Sequence, residues 1–342
     1  MTGSMLDRRA LLHAALAAGG TTLALGTLGR TLGGVINDRL TGDLSPVHDP
    51  CAIKDGDTYY VFCTSGNATE GGLIPFRASK NLLQWARRGA VFAEMPKWAA
   101  DAVPGAKGIW APDISFFAGR FHLYYAVSTF GSNHSAIGLA TNATLDPTSP
   151  NYAWQDQGMV FSSDTFDKYN AIDPSHVVDH DGGHWLCFGS FWTGIKMIRL
   201  DPATGKRAAD DDMVHALAWR PQPPDAIEAP FIIERGGYYY LFVSFDFCCR
   251  GANSNYNIVA GRATQIAGPY LGPDGNDMMH GYGQQLLVGN DRFKGPGGAS
   301  VLRDPNRDYL VYHAYDAQNA GIPTLRISPI GWTPDGWPSV IL

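Results

Sequence analysis

Apolar and polar positions alternate on a plan that this chain repeats. Residues 225–246 show it most fully. Asp225-Ala226-Ile227-Glu228-Ala229-Pro230 is a polar lead closed by proline, Phe231-Ile232-Ile233 a short apolar strand and Glu234-Arg235-Gly236-Gly237 a turn. Tyr238 to Phe245 then forms a second strand of aromatic and β-branched residues, stopping at Asp246. Four more copies follow the same plan: Asp49-Pro50 leads to Tyr59-Tyr60-Val61-Phe62, Ala111-Pro112-Asp113 to Phe121-His122-Leu123-Tyr124-Tyr125, Asp173-Pro174 to Trp185-Leu186-Cys187-Phe188, and Gly297-Gly298-Ala299-Ser300 to Tyr309-Leu310-Val311-Tyr312-His313. The second strands recur every 54 to 70 residues.

Each hairpin is followed by more apolar runs, such as Phe76-Arg77-Ala78-Ser79 and Gly89-Ala90-Val91-Phe92, or Ile137-Gly138-Leu139-Ala140-Thr141 and Gly158-Met159-Val160-Phe161. Later copies continue through Ile195–Leu200, Tyr256–Gly261 and Leu325–Ile327. Four antiparallel strands repeated five times predict an all-β, five-bladed β-propeller, whose radial closure protects the sheet edges. A β-sandwich does not account for the regular spacing. In a propeller the first strand of every blade lines a central channel, so the five polar leads are expected to converge on one axis.

Composition fits this picture. Of 342 residues 45% are hydrophobic, with 40 glycines and 22 prolines, material for a large core cut by many turns. One closed domain over residues 46–342 is expected, because no low-complexity linker separates the repeats. The net charge of −6 with no basic stripe excludes a nucleic-acid partner and disfavours a strongly anionic polymer. Five cysteines do not make a regular disulfide framework; the adjacent Cys248 and Cys249 are either bonded to each other or two small buried residues. Ahead of the repeats, Asp7-Arg8-Arg9-Ala10-Leu11-Leu12 opens a mildly apolar run rich in Ala, Gly, Leu and Thr. Residues 1–30 thus read as an export signal of twin-arginine type, sending the protein to the periplasm or beyond, and glycines argue against a stable membrane span there. Residues 31–45 read as a polar linker, and a monomer is expected.

Three of the leads carry an acid just ahead of the proline: Asp49 and Asp173 directly before it, and Glu228 two residues before it. Asp113 follows its proline by one residue, which turns a strand side chain to the other face. Any one acid before proline is an ordinary turn starter. Three at matching places in a converging fold are another matter, since acids gathered at one axis repel, and the most buried is held protonated while another stays ionised. That division serves acid/base cleavage of a glycosidic bond.

The ordered set His48-Asp49-Pro50, Gly108-Ile109-Trp110-Ala111-Pro112-Asp113, Asn170-Ala171-Ile172-Asp173-Pro174-Ser175, Glu228-Ala229-Pro230, Phe245-Asp246-Phe247-Cys248-Cys249-Arg250-Gly251 and His313-Ala314-Tyr315-Asp316 resembles glycoside hydrolase family 43, and within it the endo-α-1,5-L-arabinanases. The likeness runs from His48 to Trp337. It implies hydrolysis with inversion of arabinan, a pectic side chain, with Asp49 as general base, Glu228 as general acid and Asp173 orienting the acid and adjusting its pKa. It also implies that His313 points into the channel toward a hydrated metal ion, commonly calcium, in an electrostatic role. Trp110 and Phe191, at or beside channel-facing strand ends, are candidate stacking partners for sugar, with His48, Asn170 and Ser190 as further substrate contacts. An exo-acting α-L-arabinofuranosidase or β-xylosidase of the same family would use the same acids. A non-catalytic sugar-binding propeller would not need them. Loops at 66 to 75 and 276 to 296 are where a block at one end of a groove would decide between internal and terminal cutting.

Overall fold

A computed structural model describes residues 36–65, 71–305 and 307–340, so residues 1–30, read as an export signal, lie outside the described part. The five predicted units are five antiparallel sheets around one axis. Blade 1 comprises Cys51–Asp55, Thr58–Phe62, Leu73–Ser79 and Gln84–Phe92; blade 2 comprises Trp110–Phe117, Arg120–Val127, Ser135–Asn142 and Gln155–Ser163. Blade 3 has Ser175–Val178, His184–Phe188 and Ile195–Asp201, with Lys206–Arg207 and His215–Ala218 sharing its outer edge. Blade 4 has Ile227–Arg235, Tyr238–Phe245, Asn257–Ala263 and Gln284–Leu287, and blade 5 Phe293–Asp304, Arg307–Asp316 and Ile322–Pro329. The first strands meet in ring order, and that of blade 5 closes against that of blade 1.

The core lies between blades, which is why the strands read as almost continuously apolar. On each second strand the side chains alternate between the two neighbours, as a pleat requires. Leu123 and Tyr125 pack toward blade 1 while Tyr124 packs toward blade 3; Leu241 packs toward blade 3 while Tyr240 and Phe242 pack toward blade 5. A single blade would leave both faces wet. Burial of each Leu or Phe is worth about 1.5–3 kcal/mol, so the ring has to form as a whole to collect it.

Residues 36–45, read from the sequence as a linker, are built into the wall. Thr41–Gly42 runs parallel to the outer strand of blade 1. The Leu325 N–H donates to Leu44 O at 2.9 Å and the Val47 N–H to Pro323 O at 2.9 Å, so this segment lies where blade 5 lacks a fourth strand. Asn37 anchors it by donating to Ser328 Oγ at 3.0 Å and accepting from the Ile327 N–H at 3.0 Å. Of its polar residues Asn37 is buried, while Asp38, Arg39, Thr41, Asp43 and Ser45 are exposed. Among the described residues no helix is long and apolar enough to cross a membrane.

Candidate active site

The same backbone device opens all five blades. Asp49, Ala111, Asp173, Ala229 and Gly298 have φ of 48°, 40°, 56°, 52° and 55°. Four of them precede proline, and all lie in the left-handed region that non-glycine residues enter only at a cost of roughly 1–3 kcal/mol each. Register shifts follow at Trp110/Asp113, Glu228/Phe231 and Lys294–Ser300, where bulges re-aim the strand. Asp49 and Asp173 therefore occupy equivalent places, whereas Glu228 sits one residue earlier than its equivalent, Ala229. The fifth place is glycine for a steric reason: a Cβ on Gly298 would lie 2.5 Å from Asp49 Oδ1 and 3.0 Å from His313 Nδ1.

Asp49 is held as a carboxylate. Its Oδ2 is 2.8 Å from His48 Nδ1 and accepts the Thr64 hydroxyl at 2.6 Å. Thr64 Oγ1 is fixed in turn by the Ala111 N–H at 2.8 Å. Burial alone pushes the Asp49 pKa up, but His48 beside it, with contributions from His313 and Thr64, more than offsets this and holds it at about 2. The His48 Nε2 is 2.8 Å from the Tyr315 hydroxyl, which accepts the Cys249 N–H at 2.8 Å. Cys248 and Cys249 form a vicinal disulfide, and Cys249 is exposed at the rim.

Glu228 and Asp173 are pushed the other way. Burial raises the Glu228 pKa and the nearby Asp49 charge adds to it, against hydrogen bonds from Ser190 and Tyr256 that favour the anion. Ser190 Oγ donates to Oε2 at 2.6 Å, and the Tyr256 hydroxyl donates to Oε1. Asp173 is raised by burial and by repulsion from Glu228 and Asp49; its Oδ2 accepts the Ala229 N–H at 3.1 Å. One acid held low and two pushed up thus share a site.

The other predicted residues fall around this centre with different duties. Ser190, expected at the sugar, gives its hydroxyl to Glu228. Asn170 is buried with its carboxamide taken up by the protein, accepting from Ser135 Oγ at 2.7 Å and donating to Ser132 O at 3.3 Å. Trp110 is half-buried at the head of the first strand of blade 2, and Phe191 is half-buried 6.1 Å, ring to ring, from Phe247. Asp113 lines the same narrow channel as Asp49 and Asp173 but bridges strands instead, accepting from Cys51 Sγ at 3.4 Å and the His176 N–H at 2.9 Å. Burial raises its pKa to about 7.

His313 is fully buried and its ring stacks on His48 at 3.8 Å. Its Nδ1 lies 3.1 Å from the Asp49 N–H and 3.9 Å from Asp49 Oδ1, while Nε2 has no hydrogen-bond partner. Nδ1 accepts that N–H, which leaves the proton of the neutral ring on Nε2. Only in the other tautomer, with Nδ1 protonated and this hydrogen bond given up, would the orphan Nε2 offer one lone pair to an ion that keeps water as its remaining ligands, as oxygen-preferring calcium would require.

Thr64, Tyr256 and Tyr315 were not singled out by the sequence. The Tyr315 contact was foreshadowed by its place beside His313 in a quoted motif; Thr64 and Tyr256 are lone polar residues at strand ends, with no local signal.

A five-bladed ring that gathers acids whose pKa values are pushed in opposite directions defines an acid/base hydrolase of the propeller class. The sequence pattern of the glycosyl hydrolases family 43 matches residues 45–338. The chain is 44% identical over 294 residues to the extracellular endo-α-(1→5)-L-arabinanase 1 of Bacillus subtilis, covering 86% of this chain and 87% of that one. It is 42% identical over 306 residues to an extracellular exo-α-(1→5)-L-arabinofuranosidase of Cellvibrio japonicus, covering 86% of each. Among solved structures, the endo-arabinanase of Bacillus licheniformis superposes with a TM-score of 0.80 at 44% identity, covering 88% of this chain and 99% of that one. The Cellvibrio cellulosa α-L-arabinanase complexed with arabinohexaose gives 0.82 at 40% identity, covering 87% and 96%. The chain belongs to glycosyl hydrolase family 43.

Proposed function

We propose that this protein is an exported arabinanase that cuts α-1,5-L-arabinofuranosidic bonds within arabinan, with inversion at the anomeric carbon. The observation that carries the reading is the opposed direction in which different partners in one site push Asp49 and Glu228. Asp49, ionised and oriented by His48 and Thr64, takes a proton from water as that water attacks the anomeric carbon. Glu228 gives its proton to the departing oxygen, and Ser190 and Tyr256 then stabilise the carboxylate left behind. Asp173 orients the acid by accepting the N–H of Ala229, the residue after Glu228, at 3.1 Å. Trp110, Phe191 and His48 are the side chains placed to touch sugar. Export is supported by the twin-arginine reading of residues 1–30 and by the word extracellular in the names of both relatives.

A hydrated calcium ion attached through His313 Nε2 would supply positive charge beneath the acids. Its loading is checked by metal analysis of the intact chain, with one ion per chain that His313→Ala loses. Internal cutting is favoured over terminal cutting by the endo-acting names among the most similar relatives and structures. Incubation with linear arabinan tests it: a ladder of short oligosaccharides from the first minutes is expected, and release of a single small product from the start overturns the endo assignment.

A further inference from the structure

The hydrogen-bond chain behind Asp49 does not end at His48. The His48 Nε2 is 2.8 Å from the Tyr315 hydroxyl, and that oxygen accepts the Cys249 N–H at 2.8 Å. Cys249 Sγ lies 3.7 Å from the same Nε2, and the His48 ring is stacked on His313 at 3.8 Å. Asp49 is thus linked, through two side chains, to one backbone N–H at the rim. That N–H belongs to a constrained stretch of chain. Cys249 has φ of 62°, in the left-handed region that a non-glycine residue keeps only when its surroundings fix it. The residues on either side are tied within the loop: the Asn255 and Tyr256 N–H groups donate to Phe247 O at 3.1 and 3.2 Å, and the Arg250 N–H donates to Ser254 Oγ at 3.0 Å. Between these anchors Cys248 and Cys249 are closed on each other by the vicinal disulfide.

A bond between adjacent side chains makes a small ring that includes their shared peptide. It therefore restricts the very peptide whose N–H reaches Tyr315. Cys51, Cys63 and Cys187 are buried free thiols, so of the five cysteines only this pair forms a bond that a reductant can open. Cys249 is exposed, and exposed disulfides are the labile ones. We propose that Tyr315 and the Cys248–Cys249 disulfide position the general base, so that the enzyme works at full rate only with the disulfide closed. This rests on the reading of Asp49 as that base. A dithiol opens the bond by exchange: its own two sulfurs join as a disulfide, and Cys248 and Cys249 take up the two electrons and two protons as thiols. The ring is then gone, the Cys249 N–H is free to leave Tyr315, and His48 loses the group that fixes its Nε2. Asp49 is held less firmly toward water, and a small misplacement of a catalytic group is costly in rate.

Steady-state kinetics of the full chain on linear arabinan test this, before dithiothreitol, after it, and after reoxidation. On reduction kcat is expected to fall roughly tenfold with KM unchanged, less than the about hundred- to ten-thousand-fold that a general base itself supplies, and to return on reoxidation. The double variant Cys248→Ser, Cys249→Ser is expected to run at the reduced rate and to ignore dithiothreitol. Tyr315→Phe separates positioning from support of the fold: it removes the hydroxyl that carries the effect, so its kcat is already low and reduction lowers it no further. An unchanged kcat on reduction overturns the proposal. So does a rise in KM alone, which would make the disulfide a contact for sugar. An equal fold-loss in the parent and in Tyr315→Phe also overturns it, by assigning the disulfide to stability. In each of these cases Asp49→Asn remains inactive and the base reading stands; full activity of Asp49→Asn removes that reading and the positioning role together.

Discussion

The decisive residues are those that set how tightly two carboxyl groups hold a proton. Tyr256 and Ser190 stabilise the charged form of Glu228, so deleting the Tyr256 hydroxyl with Tyr256→Phe raises the pKa of Glu228 further. Glu228 then keeps its proton to higher pH, and the alkaline limb of kcat/KM moves upward. A pH–rate profile of the variant shows this, and an unchanged or downward-moving limb contradicts the role given to Glu228. On the acid side, Asp49 is ionised down to about pH 2 and sets no limb in the usual working range. The sequence offered the acids themselves, because Asp49 and Asp173 directly precede a proline that punctuates the chain and Glu228 stands two residues ahead of one. It did not offer their partners. Tyr256 and Tyr315 reach the acids' surroundings across long separations, 28 residues to Glu228 and 267 residues to His48, and a lone tyrosine at a strand end looks like core until the ring is closed.

Strands and hairpins were legible from apolar periodicity, and so was the pairing of each first strand with the next. What the pattern hid is the chemistry between neighbouring blades. His176 on the first strand of blade 3 is buried beside His184, with its Nε2 2.9 Å from His184 Nδ1, and against the Phe117 and Tyr124 rings. Burial, reinforced by His184 and His122, lowers its pKa to about 3. A histidine depressed in the fold contributes stability that is complete above its unfolded pKa of about 6.5 and is lost as pH falls toward 3. Asp113, on the next strand of the ring, is raised instead, so its contribution is complete below the unfolded value near 4 and is lost as pH rises toward 7. The two slopes oppose each other. Denaturant unfolding between pH 4 and 6.5 is expected to show His176→Gln gaining on the parent as pH falls, and Asp113→Asn gaining as pH rises, each by at most about 1.4 kcal/mol per pH unit. Parallel profiles for parent and variants would show that these groups do not titrate differently on folding.

At the scale of the molecule, closure brings residues hundreds of positions apart onto one axis, and the seam between blades 5 and 1 carries the whole arrangement. Ser300, 2% exposed, joins the two blades by donating to Pro50 O at 2.8 Å and accepting the Ala52 N–H at 3.3 Å, next to Asp49. Ser300→Ala leaves both backbone groups unpaired and is expected to cost about 1–3 kcal/mol in unfolding, with kcat falling because the base is no longer anchored. A loss of stability with unaltered kcat would separate the seam from the site. Five-fold closure was readable from recurrence; the N-terminal contribution to blade 5 was not, because residues 36–45 carry the polar composition of a linker and find their partners in the first and last blades together. In the proposed mechanism Asp49 acts through water and not by bonding to sugar. Proton NMR of the first product released from an α-1,5-arabino-oligosaccharide tests it most directly: the β-anomer appearing first is the predicted result, and the α-anomer appearing first would contradict it.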